Sequence, residues 1–241
     1  MTFGIIMIGV FYSFIYLFAY KLVPSNKVRR EKWISFVGGL AASYVFIYVL
    51  PYLHDHQHAI KEEYGRLATQ TELYFVCLVG LLVFYGVQKY SEGNFSKVQS
   101  ASSISNFWVQ VSFFALYNIL VSYTLVSTEV SGVQAMFYAS ALGLHFLVVA
   151  HDIWRYYPTQ YVAVGRYIMA SGVMIGWMMG IWLSISYLLE AIIFAFISGA
   201  MILNVLSNEL PKHREAHYPT FAFGVILYTS SAMFFKFFFE W

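Results

Sequence analysis

The sequence predicts an all-α, polytopic membrane protein with eight transmembrane helices. Of its 241 residues, 60% are hydrophobic, 20% aromatic and only 11% charged. An average soluble domain is about 45–50% apolar and about 25% charged. So few charged side chains could not cover the surface of a small soluble globule. Eight spans of about 20 residues fit the length, so residues 1–241 are predicted to form a single transmembrane domain.

Eight apolar stretches are the predicted spans, and each must be helical because lipid offers no water to open backbone groups. The first has no basic residue ahead of its apolar run, so it is interpreted as a membrane helix rather than a signal peptide. The five prolines are expected at or near the ends of spans, with none in the middle. The spans cover about residues 3–20, 34–53, 73–87, 107–126, 133–153, 162–187, 189–207 and 221–239.

The basic residues predict the orientation of these spans. Cytoplasmic loops of membrane proteins carry an excess of Lys and Arg. Of the 14 Lys and Arg residues, the loops on one predicted side carry all but three. The exceptions are Lys61, Arg66 and Lys236. Both termini are therefore expected on the outside.

Polar side chains within the spans are candidates for a transport path, because such groups are costly in lipid. Asn and Ser side chains in membrane helices also form hydrogen bonds between helices, so a purely structural role is the alternative for these residues. His145 is the strongest functional candidate, with Asp152 on the same stripe of helix five. The candidate path residues are Asn118, Ser122, His145, Asp152, Asn204 and Asn208.

A second candidate site lies just beyond the second span, where three imidazoles and a carboxylate follow one another closely. These residue types bind transition metals, so an outer capture site for a metal ion is one interpretation. The alternative is a run of solvated side chains, since nothing in the sequence fixes their geometry. The residues are His54, Asp55, His56 and His58.

Two segments of the chain are similar to each other. Gly39 and Pro51 are twelve residues apart, as are Gly199 and Pro211, and each segment begins with small residues and ends in Leu-Pro with a His close behind. By the charge distribution the two segments run in opposite directions. Matching segments of opposite orientation indicate an inverted repeat, which is common in transporters.

At these residues the chain resembles the ZIP (Zrt/Irt-like) family of divalent metal transporters, and residues 172–177 are similar to a stretch of that family's sixth helix. The resemblance implies eight helices in a 3+2+3 inverted arrangement with both termini outside. It also implies an intramembrane metal site, of which Asn118 and His145 are present and Asp152 is a third candidate member. Val149 stands where the family has a second ligand on helix five, so the site is expected to be reduced.

The resemblance makes a membrane transporter of divalent cations the expected function, with zinc, iron or manganese as the substrate. A non-transporting subunit or sensor and a zinc-dependent membrane hydrolase are the alternatives. A polar cavity with Asp152 in reach favours transport, whereas dry packing by Phe113, Phe114 and Val149 favours the non-transporting protein. Enzymatic activity and a resident cofactor are not expected.

The expected partners are the lipid bilayer, the metal ion and, as one option, a second copy of the chain in a homodimer. A net charge of +2 offers no basic surface for nucleic acid. The expected location is a bacterial plasma membrane, because the sequence has no transit peptide.

Overall fold

The computed structural model describes residues 3–24, 26–65, 69–93, 102–127, 132–209 and 217–239. Those residues form helices and no strand, and the helices follow the order of the predicted spans. We number them α1 (Phe3–Leu22), α2 (residues 27–64), α3 (Glu72–Gly93), α4 (Ser102–Ser127), α5 (Gly132–Tyr156), α6 (Pro158–Trp182), α7 (residues 187–209) and α8 (Tyr218–Phe239).

Six helices within the described ranges are long and apolar enough to cross a membrane, namely α2, α3, α4, α6, α7 and α8. Helix α1 contributes a shorter apolar stretch, Ile6–Leu22. Large apolar side chains on the outer faces are strongly exposed: Phe75 by 66%, Trp182 by 79% and Phe237 by 78%. Apolar surface of this kind is compatible with contact with a lipid bilayer.

Helix α2 is much longer than its predicted span. It begins after Asn26, whose side-chain oxygen accepts hydrogen bonds from the backbone nitrogens of Val28 and Arg29. This N-cap places the basic segment ahead of the span within the helix. The helix continues past residue 53, where the predicted span ends, and stops at Tyr64. Gly65 follows with a φ of 59° and a ψ of −123°, a backbone conformation that glycine adopts readily because it has no Cβ atom, and the helix ends there.

Pro51 therefore lies inside a helix, so the expectation that the prolines mark span ends is wrong at this position. A π-helical segment, Val45–Val49, immediately precedes it. Proline has no backbone N–H and its ring crowds the carbonyl four residues earlier. A π segment adds one residue to a turn and changes the hydrogen-bonding register, so it accommodates Pro51 within one continuous helix.

Helix α7 contains a π-helical segment, Val205–Glu209, at the same register as that of α2. Val45 follows Gly39 by six residues, and Val205 follows Gly199 by six. Pro51 and Pro211 each come two residues after the end of the π segment, although Pro211 itself lies outside the described residues. The two similar segments of the sequence thus share a local backbone feature. A third π segment, Tyr161–Gly165, lies near the start of α6.

The boundary between α6 and α7 differs from the predicted one. The sequence suggests a helix to residue 187 and a tight turn near Leu188, but residues 183–186 are the non-helical ones. The side-chain oxygen of Ser186 accepts a hydrogen bond from the backbone nitrogen of Leu189. This N-cap starts α7 at Tyr187, because it satisfies one of the open N–H groups of the first turn.

The helices pack in close pairs, α2 with α8, α3 with α7 and α4 with α6, while α1 lies against α5 and α6. Glycine permits the close approach of α3 and α7. A Cβ atom at Gly199 would overlap the carbonyl oxygen of Cys77, and one at Gly80 would overlap that of Phe196. Each helix thus presents a glycine to the backbone of the other, as small residues do in membrane helix packing.

Candidate functional site

His145 lies in a buried cluster where α4, α5 and α7 meet, with only 2% of its surface exposed. Its Nε2 atom is 3.2 Å from the hydroxyl oxygen of Tyr117, and its Nδ1 atom is 3.5 Å from the side-chain nitrogen of Asn204. Each ring nitrogen of His145 therefore has a polar neighbour, one from α4 and one from α7. A metal ion could bind His145 only by displacing one of these partners.

Asn118 connects three helices rather than extending the cluster around His145. Its side-chain oxygen accepts a hydrogen bond of 2.9 Å from the hydroxyl of Tyr16 on α1. Its side-chain nitrogen donates to the backbone oxygen of Met169 on α6 at 3.3 Å. The hydroxyl of Tyr161 in turn donates to the backbone oxygen of Tyr16 at 2.7 Å. Asn118 is completely buried, so these bonds satisfy polar groups that have no access to water.

Ser122 and Asp152 are the remaining described candidates of the predicted path. Ser122 is buried one turn beyond Asn118, and its hydroxyl has no hydrogen-bond partner within the described residues. Asp152 is half-buried on α5, seven residues and therefore about 10 Å along the helix from His145. The side chain of Asn208 lies outside the described part of the structure. The structure thus brings together His145 and Asn204 but does not join His145, Asn118 and Asp152 into one ligand set.

The surroundings of Tyr117 are aromatic. The ring of Phe84 on α3 contacts those of Phe113, Phe114 and Tyr117 on α4, with centroid distances of 5.2, 5.3 and 6.1 Å. Val149, one turn beyond His145 on α5, is 3% exposed. One side of the cluster is therefore packed by hydrocarbon.

The tyrosines of the two hydrogen-bonded sets were not among the sequence candidates. Tyr16, Tyr117 and Tyr161 are all buried, and each uses its hydroxyl in a bond between helices. Tyrosine is largely apolar, so it does not stand out as a polar residue within an apolar span. The sequence feature that points to these residues is a tyrosine within a predicted span, because a buried Tyr hydroxyl normally has a hydrogen-bond partner.

The outer candidate residues lie on the extension of α2 beyond Pro51. His54 and His58 are exposed on one face of the helix with ring centroids 4.7 Å apart. His56 is buried instead, and its Nδ1 atom is 2.6 Å from the hydroxyl oxygen of Tyr187 on α7. Asp55 is exposed. The structure therefore brings His54 and His58 together but directs His56 into the protein.

A zinc hydrolase would need a third imidazole within the bundle. His145 and His151 are both buried on α5, but His54 is exposed and bonded to Tyr74. His213 lies outside the described residues. Across the described ranges, no group of three or more His, Cys, Asp or Glu side chains is arranged to hold a metal ion.

Comparison with known proteins adds one match that covers less than a third of the chain. The family described as "Protein of unknown function (DUF3270)" matches residues 85–154. That stretch runs from α3 through α5 and includes Asn118 and His145. Among curated proteins, none matches the sequence.

Proposed function

We propose that this protein is a ZIP-like membrane transporter with eight spans, an inverted repeat and both termini outside. The observation that carries the proposal is the equivalent π segment in α2 and α7. Inverted-repeat transporters bind their substrates near the repeat interface, typically at interrupted helices. Isolated π turns are also frequent at functional sites. The two similar segments thus share an irregularity of a kind that is frequent at functional sites.

Contacts between the two helices support this proposal. The π segment of α2 contacts α7, and the π segment of α7 contacts α2. Asn204 is the last residue before the π segment of α7, and its side chain approaches His145. A change in the π register of α7 would therefore move Asn204 relative to His145. The proposed substrate path passes this pair.

A divalent metal ion is the proposed substrate. Imidazole suits zinc and iron, whereas manganese prefers oxygen ligands such as a side-chain carbonyl. His145, Asn204 and Tyr117 supply one imidazole and two neutral oxygen or nitrogen groups. This neutral set would bind a dehydrated cation weakly, and weak binding permits release during transport.

A transport assay tests the proposal directly. The purified protein is reconstituted into liposomes that contain an ion-sensitive dye, and zinc, iron(II) or manganese is added outside. We expect dye signal for at least one ion and reduced flux in His145→Ala and Asn204→Ala. His151→Ala is the matched control, because this second buried histidine of α5 lies outside the cluster, and its flux should be unchanged.

A non-transporting subunit or sensor is the second candidate, favoured by the aromatic packing against Tyr117 and the burial of Val149. The liposome assay separates the two candidates. If the folded protein moves none of the three ions, transport of divalent metals is excluded and the non-transporting function is favoured. If flux occurs but His151→Ala reduces it as much as His145→Ala, the proposed path is wrong.

A further inference from the structure

The continuation of α2 beyond Pro51 gives a fixed geometry to a histidine pair that the sequence would leave in a loop. His54 and His58 are four residues apart within the helical segment Leu50–Tyr64. Residues at this spacing are neighbours on one face of a helix. The segment beyond residue 53 is also polar, so it extends past the apolar part of α2. The backbone therefore holds two imidazoles side by side at one end of the predicted span.

The two rings lie close enough to share an ion. Their centroids are 4.7 Å apart and their planes are inclined by 74°. Both side chains are exposed, so an ion can approach from water and complete its coordination with water molecules. His56 is on the opposite side of the helix, in contact with Tyr187 and Phe194 of α7. It cannot join the pair without a rearrangement of the helix contacts.

A hydrogen bond from a neighbouring helix orients one member of the pair. The Nδ1 atom of His54 is 2.8 Å from the hydroxyl oxygen of Tyr74 on α3. Metal-binding histidines usually hydrogen-bond through the ring nitrogen that does not bind the metal, which fixes the tautomer and the ring orientation. Tyr74 thus engages Nδ1 and leaves Nε2 of His54 for an ion. This arrangement is an observation independent of the spacing of the histidines.

We propose that His54 and His58 form a two-imidazole chelate for a divalent first-row transition ion such as zinc, nickel or copper(II). Imidazole nitrogen suits these ions, whereas calcium and magnesium prefer oxygen ligands. The chelate consists of two histidines rather than the three of the sequence motif. It does not depend on the proposed transport function, because binding is measured without a membrane gradient.

Calorimetric titration of zinc into the purified, detergent-solubilised chain, prepared without a histidine tag, tests the chelate. The double variant His54→Ala/His58→Ala supplies the background from other sites. Wild-type protein should show one additional binding event per chain, and each single Ala variant should lose it. Tyr74→Phe should bind about tenfold more weakly, the lower range for loss of a partner that orients a ligand.

Two register variants separate a chelate from independent imidazoles. His58→Ala/Ala59→His keeps both imidazoles but places them five residues apart, about 140° around the helix, and should lose binding. His54→Ala/Glu62→His restores a spacing of four on the same exposed stripe and should recover binding, at about the affinity of Tyr74→Phe because the bond from Tyr74 to His54 is lost. His56→Gln is the control on the buried side and should bind as wild type. Circular dichroism and gel filtration check that each variant is folded.

The opposite results would overturn the proposal. Binding in His58→Ala/Ala59→His equal to that of wild type would show that the imidazoles act independently. Loss of binding in folded His56→Gln would show that the third histidine is a ligand. If the wild-type protein binds no more zinc than the double variant His54→Ala/His58→Ala, the proposed site does not exist.

Discussion

The ammonium group of Lys236 on α8 donates a hydrogen bond of 3.4 Å to the backbone oxygen of Ile47 in the π segment of α2. Pro51, four residues after Ile47, has no N–H to offer that carbonyl. The same ammonium lies 4.8 Å from the ring centroid of Tyr48, a cation–π contact. A side chain from a neighbouring helix thus supplies the donor that proline removed, which is how proline is tolerated within membrane helices.

We predict that Lys236 and Pro51 are energetically coupled. Lys236→Met should lower the free energy of unfolding by about 1.5–3 kcal/mol, the range for a hydrogen bond to a charged group. Pro51→Ala restores a backbone N–H near the carbonyl of Ile47, so Lys236→Met should cost at least about 0.5 kcal/mol less in that background. Reversible unfolding in mixed micelles of the four proteins measures the coupling. Equal costs of Lys236→Met in both backgrounds would contradict it.

The packing of α3 on α7 should tolerate no side chain at Gly199. Gly199→Ala places a Cβ atom against the backbone oxygen of Cys77, and backbone cannot yield as a flexible side chain can. We expect a loss of about 1–3 kcal/mol or more, the usual cost of overpacking. The matched control is Gly86→Ala on α3, where a Cβ atom would meet nothing within 4 Å. Thermal unfolding in detergent should show a lower midpoint for Gly199→Ala only.

Asn118 and Ser122 lie one turn apart on α4, and the loss of their polar groups should affect stability differently. Asn118→Leu leaves the hydroxyl of Tyr16 and the carbonyl of Met169 without their present partner, so it should destabilise by about 1–2 kcal/mol. Ser122→Ala removes a buried hydroxyl that has no partner within the described residues. Its unfolding midpoint should be unchanged or higher, and a midpoint as low as that of Asn118→Leu would contradict this account.

The proposed orientation can be tested with single cysteines. Cys77 is the only natural cysteine, so Cys77→Ser gives a background for Glu62→Cys at the end of α2 and Lys89→Cys near the end of α3. Both sites are exposed. With both termini outside, a membrane-impermeant maleimide should label the Glu62 variant in intact cells and the Lys89 variant only after permeabilisation. Labelling of the Lys89 variant in intact cells, and of the Glu62 variant only after permeabilisation, would show that both termini lie inside.

The candidate sites could be predicted from the sequence only in part. Spacing alone indicates that Asn118 and Ser122 share a face of α4, because the helical period is regular. It does not reveal that Asn118 bonds to Tyr16, which is 102 positions away in the chain. Similarly, the motif around His54 indicates metal-binding chemistry, but the division between an exposed pair and a buried His56 depends on how α2 packs on α7.

By itself, the sequence determined the helical class, the order of the helices and the similarity of the segments that became α2 and α7. These features follow from local composition and repeat spacing, since lipid requires every backbone group to bond within its own helix. Only the tertiary structure decided that α2 continues through Pro51, because the donor from Lys236 belongs to another helix. It also decided the partners of His145, since Tyr117 and Asn204 approach its ring from two separate helices.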